Sequence, residues 1–388
     1  MTTDDLTALS AGFTAPSDDL TVLLTDLVRI DSQNPYLVSG APGERAIAEF
    51  CVGWLTRHGV EAWIDDVAPG RCNAIARIGS GAAPVLTLCA HLDTVSIEGM
   101  ERHGLQPYVE GGRMYGRGAY DMKCGVAAIL SAMAELAKRP PGGTVMAALV
   151  CDEEFASIGA QDFVKRYRSD ACIVTEPSEG KLILAHKGFV WAEIETRGVA
   201  AHGSRWQDGA SAIAKMGQVI AALDEFDRTT LRGRTHPLLG PASMHCAMIS
   251  GGDGWSTYAP SCTMRVERRT LPGETPASVL DELRAIVARA GEDAIVREVL
   301  SRAPLECPAE SSVAQSVSAA AAAVTGAAPE IGGVAYWMDA AIFAEAGAET
   351  VNFGPSGGGA HAAVEWVDLD SVVACARTLV DAACRSVI

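Results

Sequence analysis

Apolar positions along the chain recur with two periods. Over 18–30 and 43–58 leucines and alanines stand three and four apart, which predicts amphipathic helices, and a helical run is expected again over 126–138. Four short apolar runs, 85–90, 145–151, 172–175 and 350–353, alternate with these helices and are bounded by polar or glycine-containing turns. That is the pattern of strands buried on both faces of a helix-covered sheet, so the expected core is α/β. The pattern changes near His186 and returns near Pro304. Between them 189–196 alternates like a half-exposed strand, 210–226 is helical, 262–268 alternates and 276–290 is helical again. This order reads as a small α+β unit inserted into the larger domain. The expected division is therefore 1–186 with 304–388 for one domain and 187–303 for the other. No internal repeat is visible, and the alanine-rich stretch 319–324 lies inside a helical pattern.

Composition narrows the class. A chain of 388 residues exceeds what one hydrophobic core usually serves, in keeping with two domains. With 48% apolar and 20% charged residues it is a folding sequence, and no uncharged apolar run is long enough to span a bilayer. A formal net charge of −17 with no basic block argues against nucleic acid or a membrane as partner. The opening MTTDDLTALSAGF carries aspartates where a secretory leader carries positive charge, so export is not expected. The 11 cysteines include no CxxC pair, and several, such as Cys89, Cys151 and Cys172, sit in or at the end of apolar runs. They read as reduced thiols of a cytoplasmic protein.

The residues at the end of each apolar run carry the chemistry. The run 85–90 ends in His91-Leu92-Asp93, 145–151 in Asp152-Glu153-Glu154, 172–175 in Glu176-Pro177, and 350–353 in a glycine loop leading to His361. Open α/β sheets place their ligand crevice at the carboxyl ends of strands. Asp121, just before the helix expected over 126–138, is a fifth candidate. So many carboxylates in one crevice are costly unless cations neutralise them. If Asp121, Glu154 and Glu176 are ligands, three negative charges and a hydroxide balance two divalent ions, with His91 and His361 each adding a neutral nitrogen. Mixed imidazole and carboxylate donors suit Zn²⁺ best, and Co²⁺ or Mn²⁺ fit the same oxygens. Residues i and i+2 of an extended segment point the same way, so the Asp93 carboxylate is expected to accept the ring N–H of His91. Adjacent Glu153 and Glu154 diverge, so one is expected to ligate and the other to act as general base. Each residue taken singly has an ordinary reading, as a helix cap, a core histidine or an acidic turn. Five ligand-type side chains ending successive apolar runs outweigh it. The glycines 354–359 lack the Lys-Ser or Lys-Thr of a phosphate loop.

These residues fall in segments that resemble the metallopeptidase M20 family, whose members include acetylornithine deacetylase, succinyl-diaminopimelate desuccinylase, aminoacylase and glutamate carboxypeptidase. The carriers are CAHLDTV at 89–95, GGRMYGRGAYDMKCG at 111–125, CDEEFASIGA at 151–160, VTEPS at 174–178, AAHGS at 200–204, ERRTLPGE at 267–274 and FGPSGGGAHAAVEW at 353–366, spread over nearly the whole chain. The resemblance implies that Asp121 bridges two metal ions, one also bound by His91 and Glu176 and the other by Glu154 and His361. It makes Glu153 the general base and Asp93 the partner of His91. It also implies that the inserted unit is a lid and dimerisation domain, with His202 reaching the neighbouring subunit's active site to hydrogen-bond the oxyanion. Read from the sequence alone, His202 is a surface loop residue. Arg269 matches a lid arginine suited to a substrate carboxylate, with an ion pair to Glu267 or Glu274 as the equal alternative. Thr257 stands where the family commonly has a substrate-binding asparagine, Ala90 and Cys124 replace usual glycines, and Cys124 is expected to make the site sensitive to oxidation.

The expected protein is thus a homodimeric cytoplasmic hydrolase with two divalent ions. It cleaves the amide bond of an N-acyl amino acid through a metal-activated water, with Glu153 as base. A dipeptidase or carboxypeptidase using the same machinery is the alternative, and a catalytically dead binding protein the third reading, disfavoured because Glu153 and every ligand are present.

Overall fold

The computed structural model describes residues 17–79, 83–290 and 293–386, so the opening segment that bears on export lies outside the described residues. The chain divides into two compact units. The first runs to Leu184 and returns as Cys307–Gly332 and from Met338 onward, and the second comprises Ala185–Glu306 and Gly333–Trp337.

In the first unit α1 (Ser17–Arg29) and α2 (Arg45–Arg57) precede the hairpin β1 (Glu61–Ala68) and β2 (Arg71–Ile78), and β3 (Val85–His91) comes next. A short hairpin, β4 (Tyr108–Glu110) and β5 (Arg113–Tyr115), leads to α3 (Lys123–Lys138), β6 (Thr144–Val150), α4 (Ile158–Arg166), β7 (Ala171–Val174) and β8 (Leu182–His186). The second unit is β9 (Gly188–Arg197), α5 (Ala212–Thr229), β10 (Ser243–Gly251), β11 (Ser261–Thr270), α6 (Pro276–Arg289) and β12 (Ala294–Arg302). The chain then returns through α7 (Ser312–Thr325), α8 (Ala340–Glu345), β13 (Glu349–Asn352), β14 (Gly357–Gly358), β15 (Trp366–Asp368) and α9 (Leu369–Ser386).

The large, nine-stranded sheet is mixed, with the order β1-β2-β6-β3-β7-β13-β8 followed by short strands at Leu305–Glu306 and Ile331–Val334 that both pair with β8. Its four middle strands, β6, β3, β7 and β13, are mutually parallel neighbours. Every residue of β3, β6 and β7 is buried. Helices therefore cover both faces, and the strands read as unbroken apolar runs rather than as alternation. The helix α3 is buried almost throughout, and its Ala127, Ala128 and Leu130 join Leu86 and Leu88 of β3 in the main core. On another part of the unit α4 meets α8 through Phe163 and Phe343, 5.6 Å apart.

Two strands of this sheet escape the hydropathy pattern. Asp65 and Asp66 interrupt β1, and β2 carries Arg71 and Asn73 in its buried interior. Those polar side chains find partners within the protein. Asn73 accepts the Cys151 amide at 3.0 Å and donates to the Gly159 carbonyl at 2.9 Å, while Arg71 pairs with Glu44 and Asp152. Thus β2 anchors the acidic turn after β6.

The second unit is a four-stranded antiparallel sheet, β10-β11-β9-β12, in a βαββαβ chain order. Alternation along β9 buries Val190, Ala192 and Ile194 beneath Met216, Val219 and Leu223 of α5 and Leu283 and Val287 of α6. Trp191 on the other face stays exposed. β12 and the edge strand β10 complete the sheet beyond the two strands expected here, and β10 is exposed over most of its length and so shows no buried periodicity.

Candidate metal centre

Parallel pairing sets the carboxyl ends of β6, β3, β7 and β13 side by side, and each delivers a polar residue there. His91 is the last residue of β3, Asp152 to Glu154 come after β6, Glu176 after β7, and the loop after β13 carries His361. Asp121 arrives differently. β15 pairs with β5, and β14 with β15, so the 116–121 segment leaving β5 runs beside the loop that holds His361. The Asp121–Met122 peptide is cis, and α3 begins one residue later.

These side chains converge. His91 Nε2 lies 3.1 Å from Asp121 Oδ1 and 3.5 Å from Glu176 Oε1. His361 Nε2 lies 3.2 Å from Asp121 Oδ2 and 3.0 Å from Glu154 Oε2. Asp121 therefore presents one oxygen to each histidine, and two triads form, His91–Asp121–Glu176 and Asp121–Glu154–His361, each with ligand atoms within 4.8 Å of one another. Two imidazole nitrogens among three carboxylates form a donor set that fits divalent cations.

The electrostatics agree. Burial alone would lower the His91 imidazole, but Glu176, Asp121, Glu153 and Asp93 around it raise it well above its ordinary value. Hydrogen bonds to Asp121 and Glu154 raise His361 to about 10. Burial pushes Glu176 well up, and it lifts Glu154 too, with the charge of Asp121 adding to the second. Against its own burial, Asp121 is held below the usual carboxylate range by the two histidines. Protons on the imidazoles are one way to neutralise this cluster, and divalent cations are another, which need those nitrogens neutral.

Glu153 is largely buried, and desolvation first, then the Glu176 charge, push its carboxyl well above the ordinary range. Its main chain is held by Asp93, and here the structure corrects the expectation from spacing. The ring Nδ1 of His91 lies 2.9 Å from the main-chain oxygen of Asp93 and 3.7 Å from its carboxylate. The carboxylate is occupied: its Oδ1 accepts the Glu153 amide at 3.1 Å, and its Oδ2 accepts the Glu154 amide at 3.2 Å and the Asn34 side chain at 2.8 Å. Asp93 thus orients both glutamates through their peptides.

Sequence reasoning missed several contributors. Asn34 also donates to Asp152 Oδ1 at 3.0 Å, and Arg71 meets the same oxygen at 2.9 Å, so Asn34 and Arg71 together brace the acidic turn from two separate segments. Their only sequence signal is polarity at positions that prove to be buried. Asp339, buried ahead of α8, adds charge that raises Glu153 and Glu176. Two glycines let the strand ends approach. A Cβ on Gly354 would stand 2.2 Å from the Glu176 carbonyl oxygen, and one on Gly125 would stand 2.4 Å from Thr175 Oγ1. The neighbouring Cys124 is fully buried and its Sγ–H donates to the Tyr120 carbonyl at 2.9 Å. Burial pushes that thiol well up, which disfavours the thiolate that oxidation requires.

The remaining candidates lie in the second unit. His202 is exposed, with Nδ1 2.8 Å from Ser204 Oγ, and an isolated backbone bridge joins it to Thr257. Arg269 pairs with Glu267 at 3.0 Å and lies over the Phe189 ring, while neighbouring Arg268 is buried against Glu274.

Comparison with known proteins adds three findings. Residues 87–385 match the profile of peptidase family M20/M25/M40. The chain is 30% identical over 384 residues to an acetylornithine deacetylase of Myxococcus xanthus, covering 94% of this chain and 97% of that one. Similar folds occur in aminopeptidase PepT of Bacillus cereus, with TM-score 0.79, 19% identity and coverage of 96% and 99% of the two chains. They occur also in a dinuclear metal binding peptidase from the M20 family of Bacillus subtilis, with TM-score 0.73, 18% identity and coverage of 96% and 99%.

Proposed function

The chain belongs to peptidase family M20/M25/M40 and is a hydrolase of amide bonds, and from that premise we propose a dinuclear metalloenzyme that deacylates N-acyl amino acids. The observation that carries this reading is Asp121, whose two oxygens face two separate histidine–carboxylate groups. We assign His91, Asp121 and Glu176 to one ion and Asp121, Glu154 and His361 to the other, with Zn²⁺ favoured over Co²⁺ or Mn²⁺ for this mixed donor set. When bound, such ions supply a Lewis acid for the scissile carbonyl and make a nucleophile of water near neutral pH.

The chain's own groups do the rest. Glu153 takes the proton of the attacking water on its carboxylate and passes it to the leaving nitrogen, while the amide contacts to Asp93 keep it aimed. We assign residues 187–303 as a lid and dimerisation domain in which His202 of the partner subunit donates to the developing oxyanion. Arg269 would exchange its Glu267 pair for the substrate carboxylate, and Thr257 is joined to His202 by a backbone bridge. A homodimer is supported by the uncovered edge strand β10, on which Met248 is 61% and Ile249 56% exposed. No helix among the described residues is long and apolar enough to cross a membrane, and none of the 11 cysteines is paired, which supports a cytoplasmic setting. Deacylation is favoured over peptide hydrolysis by the near full-length similarity to the Myxococcus xanthus deacetylase.

The test is hydrolysis of acetyl- and succinyl-amino acids and of dipeptides, with and without chelator, alongside elemental analysis. Chelator-sensitive release of acetate or succinate is the expected result. Cleavage of dipeptides alone would replace deacylation by peptide hydrolysis, and folded protein that never takes up stoichiometric metal would end both.

A further inference from the structure

The segment that carries Asp121 and the loop that carries His361 are joined by a buried ion pair. Glu365 is 1% and Arg117 3% exposed, with Arg117 Nη1 2.6 Å from Glu365 Oε2. The other oxygen of Glu365 accepts two main-chain amides, Tyr120 at 3.0 Å and Asp121 at 3.1 Å. Arg117 commits two further donors, one to another loop and one to the His361 loop itself. Nε donates to the Ser96 carbonyl at 2.9 Å and Nη2 to the Ala362 carbonyl at 3.2 Å. Ser96 lies shortly after His91 and Asp93, and Ala362 is the residue after His361.

We infer that Arg117 and Glu365 are positioning residues of the metal centre, whose ion pair sets the Asp121 peptide and the His361 loop in register so that one carboxylate meets both histidines. The inference rests on the metallohydrolase reading above. Two amides on one carboxylate oxygen orient the peptide from which the Asp121 side chain departs. A planar guanidinium has the fork of donors needed to reach three acceptors on two segments at once, which an ammonium, as a point charge, lacks. A buried ion pair is a weak source of net stability. Loss of the partners that orient ligands, by contrast, typically weakens metal binding about 10- to 100-fold.

The variants are Glu365→Gln, which keeps the shape and loses the charge, and Arg117→Lys, which keeps the charge and loses the fork. Zn²⁺ affinity is measured by competition with a chromophoric chelator, together with kcat, KM and the melting temperature of metal-free protein. Both variants are expected to bind Zn²⁺ about 10- to 100-fold more weakly than the parent, with kcat reduced and KM little moved. A lower melting temperature with unchanged Zn²⁺ affinity of the folded fraction would make the pair merely structural and overturn the inference. Should the variants fail to fold, hydrogen exchange in the unsubstituted protein decides. The Asp121 amide should be as protected without Zn²⁺ as with it, and free exchange in the metal-free protein overturns the inference. Parent protein that binds no Zn²⁺ defeats the metallohydrolase reading itself, whereas parent and variants binding alike defeat only the positioning role.

Discussion

Glu153 and Glu154 are adjacent in sequence yet differently placed, because Asp93 grips both of their amides while their side chains diverge. Glu154 reaches His361, whereas Glu153 lies among Glu176, His91 and Asp339 with its carboxyl pushed up by burial. Replacing Glu153 by Ala removes the proposed proton carrier but no proposed ligand. The variant is expected to keep its metal content by elemental analysis and to lose about 10²- to 10⁴-fold in kcat. A near-normal rate would remove Glu153 from the mechanism. The same neighbourhood marks what residue-level reading can reach. The i, i+2 spacing correctly put Asp93 beside His91, yet it carries no information on competing donors. Three of those, from Asn34, Glu153 and Glu154, claim the carboxylate and leave the ring N–H to a main-chain oxygen.

Strand ends organise the next scale. β3, β6, β7 and β13 were legible as apolar runs because helices cover them on both faces, and their parallel pairing explains why the residues after them meet. Strands with a polar interior, or exposed along nearly their whole length, were not legible. β2 hides Arg71 and Asn73 behind internal partners, and β10 leaves its apolar residues in the open. That exposed edge leads to a prediction. If β10 pairs with its copy in a homodimer, Ile249→Lys should bury a charge at the joint and yield monomers by analytical ultracentrifugation, with the fold of the unit retained. A variant that sediments as the parent does would exclude this edge from the interface.

Stability of the whole molecule can be read through His186, at the end of β8. The ring is fully buried, its Nδ1 lies 3.0 Å from the Lys187 carbonyl, its Nε2 has no hydrogen-bond partner among the described residues, and Trp337 stands edge-on at 6.2 Å. Burial lowers its pKa to about 4, since a second ring proton would find no acceptor. The unfolded chain takes up that proton below pH about 6.5 and the folded protein refuses it, so the contribution to stability is complete above that pH and is lost toward pH about 4. At pH 5 the loss amounts to about 2 kcal/mol. Urea unfolding of parent and His186→Asn protein should show their stability difference changing by about that amount between pH 7 and pH 5. A difference that does not vary with pH would refute the assignment.

The sequence by itself determined the α/β class and showed which acids and imidazoles end its buried runs, because burial imposes periodicity and polar side chains that interrupt it stand out. Only the tertiary structure decided how those residues are shared and held. Asp121 divides its oxygens between two histidines, Asp93 serves amides rather than a ring, and Asn34, Arg71, Arg117 and Glu365 turn out to brace the site. The reason is physical: hydrophobic periodicity is written locally, whereas a hydrogen bond is allotted among all donors that folding brings within reach, and those come from distant parts of the chain.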